Sequence, residues 1–150
     1  MIDSFKKIIQ KGKVNEFACF PYSGEFMKES RKLGIASRQV NYLNLWEDSL
    51  LDSGISNGDI ALRPFFASKH KEMTKDELEK LNTIKKGDVI FHCLNYVLSH
   101  PKVSSVVVGM NSVEQLSNIL LHNKRISKNK NTFNSYRAVF SLEPVEDSPG

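Results

Sequence analysis

Two kinds of hydrophobic run alternate along the chain. Short runs of apolar and β-branched residues, typical of strands, are each followed by apolar residues that recur at helical spacing. The predicted strands are Val14–Phe20, Arg38–Leu43, Asp59–Phe65 and Ser104–Gly109. The connections between them are too long for hairpins, which indicates parallel strands joined by crossover helices. We therefore predict an α/β fold of four βα units in parallel order, either a small open sheet or half of a (β/α)8 TIM-type barrel.

Two of the predicted helices begin with a capping box. Thr74 is followed three residues later by Glu77, and Ser112 is followed by Gln115. In this motif each side chain hydrogen-bonds the backbone N–H of the other residue, which fixes where a helix begins. The pattern thus predicts helix starts at both positions.

The strand Ser104–Gly109 is the most apolar of the four, with three consecutive valines, and is predicted to be buried on both faces. It runs through Gly109 into the helix that Ser112 caps. Backbone N–H groups at a helix N-terminus form an anion site, and α/β sheets bind ligands at the carboxyl ends of their strands. This segment is a candidate phosphate site, although most capped helices bind nothing.

The periodic spacing of apolar residues ends at Asn123, where a polar segment rich in Asn and Lys begins. We expect one domain over residues 1–122 and a polar, partly disordered carboxyl-terminal tail over residues 123–150. The cationic run Lys124–Lys130 is typical of a solvated helix end, and a phosphate contact is the alternative.

Composition limits the function classes. The 150 residues carry a net charge of +4, too small to require nucleic acid as a partner. No apolar stretch approaches the roughly 20 residues of a membrane span, and the start of the sequence lacks the pattern of a signal peptide. Cys19 and Cys93 lie far apart without CxxC spacing, which favours reduced thiols. We expect a cytoplasmic protein without membrane or nucleic-acid partners.

Common catalytic motifs give nothing specific. The G-x-S-x-G match at Gly54–Gly58 follows a predicted helix and precedes a strand, the reverse of the nucleophile elbow, so it is interpreted as a turn. His92 and His100 lie on or at the end of an apolar helix, which favours packing or capping over catalysis. We predict neither a metal site nor a catalytic residue.

Several segments in order resemble one enzyme family. They are Gly12-Lys13-Val14, Gln39-Val40-Asn41-Tyr42, Ala61-Leu62-Arg63-Pro64-Phe65, Tyr96–Pro101 and Val106–Leu116. Their order and spacing resemble strands five to eight of an aldo/keto reductase, the carboxyl-terminal half of that (β/α)8 barrel, over about residues 2 to 121. The family reduces aldehydes and ketones with a nicotinamide cofactor, usually NADPH.

The resemblance implies a set of NADP(H)-binding residues. Gln39 matches the glutamine that hydrogen-bonds the nicotinamide carboxamide, and Arg63 matches the residue that packs on the nicotinamide ring. The pyrophosphate loop and the segment that holds the adenosine 2′-phosphate then comprise Pro64, Phe65, Phe66, Gly109, Met110, Asn111, Ser112 and Gln115.

The sequence also departs from the family pattern. Ala18-Cys19-Phe20-Pro21 stands where a Gly-Val-Ser-Asn segment commonly holds the carboxamide, and Asn111 replaces a frequent arginine. Ile119 aligns with a common asparagine beside the adenine, and the glycine expected soon after Phe65 is absent. The resemblance therefore implies a partly eroded cofactor site.

The family's Asp, Tyr, Lys and His catalytic tetrad belongs to the first four strands, which the chain does not contain. We expect this chain alone to be inactive, and to need a complementary amino-terminal half-barrel for reductase chemistry. The alternative is a non-catalytic binding or assembly module that forms a homodimer through its open strand edges.

Overall fold

The structure is a computed structural model that describes residues 2–15, 18–19, 29, 32, 38–46 and 58–140. The strands in this part of the chain are β1 (Ala18–Cys19), β2 (Arg38–Tyr42), β3 (Asp59–Leu62) and β4 (Val103–Val107). The helices are α1 (Ile2–Gln10), α2 (Lys75–Ile84), α3 (Val89–Ser99), α4 (Val113–Asn123) and α5 (Lys130–Val139), with a 3-10 helix at Phe66–Lys71. The spacing of apolar residues also predicts helices at 23–33 and 47–51, and both segments lie outside the described residues, apart from Glu29 and Lys32.

The strands pair in parallel in the order β1-β2-β3-β4. Val40 lies opposite Ile60, and Ala61 lies opposite Val106. Because neighbouring strands run in the same direction, the chain segments that leave β3 and β4 emerge at the same edge of the sheet. The predicted α/β class with parallel strands is confirmed.

The capping box of α2 has the predicted geometry. The Glu77 backbone N–H donates to Thr74 Oγ1 over 3.2 Å, and the Thr74 N–H donates to Glu77 Oε2 over 2.7 Å. The hydrogen bonds that the Thr74 N–H and the Thr74 hydroxyl donate to the Glu77 carboxylate lower the pKa of that carboxyl, since they favour its ionised form. Leu81, which lies one turn after Glu77 on α2, is fully buried.

The core lies between the sheet and the helices. Helix α3 is buried along most of its length, and its Tyr96 ring stacks on Phe133 of α5 with centroids 4.7 Å apart. His100 ends α3 and meets the same Phe133 ring edge to face. His92 is also fully buried, so both histidines have the predicted packing role.

Helix α5 corrects the expected polar tail at residues 123–150. Asn129 caps its N-terminus by accepting from the Thr132 N–H over 3.1 Å. Phe133, Tyr136 and Arg137 recur at helical spacing and are buried against the rest of the fold. Residues 141–150 lie outside the described part.

Strand β4 also departs from its prediction. Val103 is buried, but Val107 keeps 50% of its surface exposed. The residues between them alternate between partly buried and exposed. The physical reason is that successive side chains of a strand point to opposite faces of the sheet, and the face of β4 that carries Ser105 and Val107 is left exposed.

None of the described helices combines the length and the apolar character required to cross a membrane.

Candidate functional site

A cavity of about 470 Å³ opens between the 3-10 helix and the start of α4. It is lined by Phe65, Ser68, His70, Lys71, Ile90, Gly109, Met110, Asn111, Gln115, Asn118 and Ile119. The volume is within the roughly 300–1,000 Å³ typical of cofactor and small-molecule sites, and the lining mixes apolar and amide groups as such sites do.

The topology explains why these distant segments meet. The loop after β3 carries Phe65 and Lys71, and the loop after β4 carries Gly109 and Asn111. Since β3 and β4 are parallel neighbours, both loops leave the same edge of the sheet. The cavity thus lies where an α/β sheet places ligands.

The start of α4 is held by two side-chain hydrogen bonds. Ser112 Oγ accepts from the Gln115 N–H over 3.2 Å, as the capping-box pattern predicts. Gln115 Oε1 accepts from the N–H of Asn111 over 3.0 Å rather than from that of Ser112. The side chain of Gln115 therefore ties the helix to the loop that lines the cavity, and it fixes the loop geometry.

The loop opposite is strained at two positions. Arg63 has a φ of 57° and Ser68 a φ of 67°, in the left-handed region that favours glycine. Non-glycine residues in this conformation are costly and concentrate at ligand-binding sites. His70 steadies the turn, since its Nδ1 lies 3.3 Å from the Phe65 carbonyl oxygen.

Lys71 supplies a cationic group to the lining, whereas Lys69 on the same 3-10 helix pairs with Glu72 over 3.1 Å. At this end of α4 the positive end of the helix dipole adds to the charge of Lys71. The cavity wall is therefore suited to an anionic group.

Acid–base groups with strongly displaced pKa values lie elsewhere among the described residues. Burial raises the pKa of Cys93 and of Tyr136 to about 12, and it lowers the pKa of His92 and of His100 to about 4. None of the four lines the cavity. The cavity can hold and orient a ligand, and these four acid–base groups lie outside its described lining.

Five of the predicted cofactor-binding residues line the cavity: Phe65, Gly109, Met110, Asn111 and Gln115. Pro64 is buried and directly precedes Phe65 in the sequence. Arg63 is exposed, and Phe66 begins the 3-10 helix. Ser112 acts as the cap of α4 and is not part of the lining. Gln39 lies on β2, where it pairs with Cys19 of β1, and β2 lies next to β3 in the sheet.

Sequence reasoning missed Ser68, His70, Lys71 and Ile90 as lining residues. Asn118, the asparagine adjacent to the aligned position Ile119, does line the cavity. The missed residues come from a 3-10 helix and from a helix start that no sequence motif marks.

No group of three or more metal-ligating side chains occurs within the described ranges, and the predicted turn Gly54–Gly58 is described only at Gly58, where φ is 89°.

Solved aldo-keto reductases share this fold. A holo-form aldo-keto reductase from Bacillus halodurans matches with a TM-score of 0.65 at 16% identity, over 92% of this chain and 54% of that one. A thermostable aldo-keto reductase in complex with the inhibitor epalrestat matches with a TM-score of 0.66 at 14% identity, over 92% of this chain and 53% of that one. The chain thus has the fold of part of an aldo/keto reductase barrel, and it spans about half the length of these proteins.

At the level of sequence, no protein-family model matches the chain and no curated protein matches it. The resemblance to aldo/keto reductases is confirmed at the level of the fold.

Proposed function

We propose that this chain is the cofactor-binding, carboxyl-terminal half-barrel of an NADP(H)-dependent aldo/keto reductase-like oxidoreductase. The observation that carries the proposal is the meeting of Phe65, Asn111 and Gln115 around one cavity. These residues come from two segments more than 40 positions apart, and the family resemblance assigns each of them to cofactor binding. A cytoplasmic location is part of the proposal, since Cys93 is a free, buried thiol.

The residues present fit an anionic nucleotide in part. Lys71 and the start of α4 favour a phosphate, while Ile90 and Ile119 offer an apolar wall to a flat ring. Asn118 stands beside Ile119, so an amide reaches the cavity even though isoleucine occupies the aligned position. Asn118 therefore compensates for the amide that is missing at position 119.

In this proposal Lys71 and the backbone of Gly109–Asn111 hold the phosphate end of NADP(H). Gln115 orients that backbone through its bond to the Asn111 N–H, and Phe65 excludes water from one side of the cavity. The nicotinamide assigned to Gln39 and Arg63 supplies hydride when the cofactor is bound.

Proton transfer to a carbonyl oxygen requires an acid within hydrogen-bond reach. The resemblance assigns the family's tetrad to strands that this chain does not match, and the groups with strongly displaced pKa values lie outside the described lining of the cavity. We therefore propose that the chain alone binds cofactor without reducing carbonyls, and that a complementary amino-terminal half-barrel supplies the acid.

A second candidate is a non-catalytic half-barrel that assembles through its open strand edges. The observation in its favour is the unpaired far edge of β4 among the described strands, with Val107 half exposed. In this case the cavity would have no affinity for the cofactor.

Titration of the chain with NADPH, followed by the fluorescence of the reduced nicotinamide, tests the proposal. We expect saturable binding, blocked by Gly109→Leu. A Cβ added at Gly109 meets no atom within 4 Å, so the substitution introduces no clash at Cβ, and the leucine side chain adds bulk at the cavity wall. Ala138→Leu, at an exposed position of α5, is the matched control that adds similar bulk away from the cavity.

Absence of saturable NADPH binding by the wild-type chain at several hundred micromolar would overturn the proposal in favour of the assembly module. Equal binding by the Gly109→Leu variant would show that the nucleotide binds at another place.

A further inference from the structure

Helix α4 packs against α3 with one side and carries exposed aliphatic residues on another. On the inner side His122 is buried against α3, where its ring lies 5.7 Å from that of Phe91 and its Nε2 lies 3.2 Å from Asp88 Oδ1. On the other side are Val113, Leu116, Leu120 and Leu121, which we name the outer face of α4. Their exposed fractions are 80%, 41%, 53% and 60% respectively.

The spacing of the outer face is that of a buried helix. Its residues stand at positions i, i+3, i+7 and i+8, the pattern of a stripe that faces a hydrophobic core. Four neighbouring aliphatic side chains at these exposures form a contiguous apolar patch, which is unusual on a protein surface and marks a contact site. The other side of α4 already provides the helix with its packing against α3.

The charges on α4 indicate what covers this face. Glu114 lies in the first turn and Lys124 at the C-cap, and both are exposed. A second copy of α4 packed antiparallel brings the acidic end of each helix beside the basic end of the other. It also opposes the two helix dipoles. The outer face is therefore complementary to itself.

We propose that the outer face of α4 is a homodimer interface in which two copies of the chain pack α4 against α4 antiparallel. A twofold axis near Ser117 brings Val113 of one copy close to Leu121 of the other. It also lets Glu114 reach Lys124 across the interface. Such a self-complementary contact closes on itself and leaves no open end for further growth.

This inference goes beyond the proposed function and does not rest on it. The contact uses helices and leaves the strand edges unpaired, so it also differs from assembly through β4.

Light scattering after size exclusion of the full chain tests the dimer. We expect the measured mass to rise from 17.0 kDa toward twice that value as concentration increases. Leu120→Glu places a charge in the middle of the face, and it should weaken association at least tenfold. A wild-type chain that stays monomeric at several hundred micromolar would refute the dimer and leave the face to another polypeptide.

Exchanging the charges at positions 114 and 124 distinguishes this specific contact from nonspecific hydrophobic association. Glu114→Lys and Lys124→Glu should each weaken the dimer several-fold, because each juxtaposes like charges across the interface. The double variant restores the complementarity and should recover the dimer. If the double variant dissociates more than either single one, the antiparallel arrangement is wrong.

Disulfide trapping then locates the contact, in a Cys19→Ser background. Cys93 is buried and its thiol pKa is raised to about 12 by burial, so it does not react. Ser117→Cys should form a covalent dimer on oxidation, while Ser105→Cys, exposed on β4, should not. The reverse result would assign association to the strand edge and overturn the proposal.

Discussion

Nδ1 of His92 on α3 lies 2.7 Å from the hydroxyl oxygen of Tyr136 on α5, with both side chains fully buried. Asn95 Nδ2 donates to the same hydroxyl oxygen over 2.9 Å, so the Tyr136 O–H is left to donate to His92. Nε2 of His92 then carries the proton and faces Asn82 Oδ1 at 3.4 Å. The network requires a neutral imidazole and joins α5 to the core.

The neutral state of His92 and His100 makes stability depend on pH. Burial lowers the pKa of both from 6.5 to about 4, and the cations Lys102 and Arg137 lower that of His100 further. For His92, the nearby Asp88 raises the pKa against the effect of burial, while Arg125 lowers it further. The unfolded chain takes up protons below pH 6.5, whereas the folded chain resists until about pH 4.

We therefore expect the free energy of unfolding to be nearly constant between about pH 7 and 8 and to fall between pH 6.5 and 4, by a few kcal/mol in all. Urea denaturation at half-unit pH steps measures this dependence. His92→Gln should flatten the profile by about one proton. A profile flat from pH 7 to 4 would contradict the neutral buried histidines.

The sequence predicted the parallel strands and the caps because both depend on local pattern. Thr74 and Ser112 act as caps at the predicted positions, and β2 and β3 lie within the predicted strands. Helix α5 could not be found in this way, since only three of its ten residues are buried and its composition is polar. Its stability comes from packing on α3, a tertiary effect that periodicity alone does not reveal.

The candidate site was predictable where a motif marks it. The segment from Gly109 to Gln115 is a strand end followed by a capped helix, which is visible in the sequence. Ser68 and Lys71 were missed because their place in the cavity depends on how the loop after β3 folds back as a 3-10 helix. No periodic pattern encodes that turn.

Ser68 holds a left-handed conformation with φ of 67°, three residues after Phe65, in the region where the family resemblance implies a glycine. Ser68→Gly removes the clash of Cβ with the backbone, which outweighs the larger entropy of glycine in the unfolded chain. We expect it to stabilise the fold by about 0.5–1 kcal/mol, measured as a rise in the midpoint of urea unfolding.

Ser127→Gly is the matched control, because Ser127 is exposed and does not have a positive φ. It should be neutral or slightly destabilising. Equal effects of the two substitutions would indicate that strain at Ser68 contributes nothing.

Substitutions at the two helix caps distinguish an effect on stability from an effect on NADPH binding. Thr74→Ala and Ser112→Ala each remove a side-chain acceptor for an N3 backbone N–H, and each should cost about 1 kcal/mol of stability. Only Ser112 shapes the end of α4 at the cavity, so only its loss should weaken NADPH binding. Thermal unfolding and the fluorescence titration, performed on both variants, measure the two effects.

A parallel loss of NADPH affinity in Thr74→Ala would mean that affinity follows overall stability. In that event the start of α4 has no specific part in the site.

Lys71 should contribute to binding through its charge. Lys71→Gln keeps much of the side-chain length but removes the cation from the cavity wall, so we expect NADPH affinity to fall by about three- to tenfold. The remaining affinity should also depend less on salt, because partly exposed charge pairs are screened by ions. Titrations in 50 and 500 mM NaCl measure both changes, with Lys75→Gln on α2 as the control for total charge. If the two variants lose affinity equally, the effect is one of net charge, and the assignment of Lys71 to the phosphate is wrong.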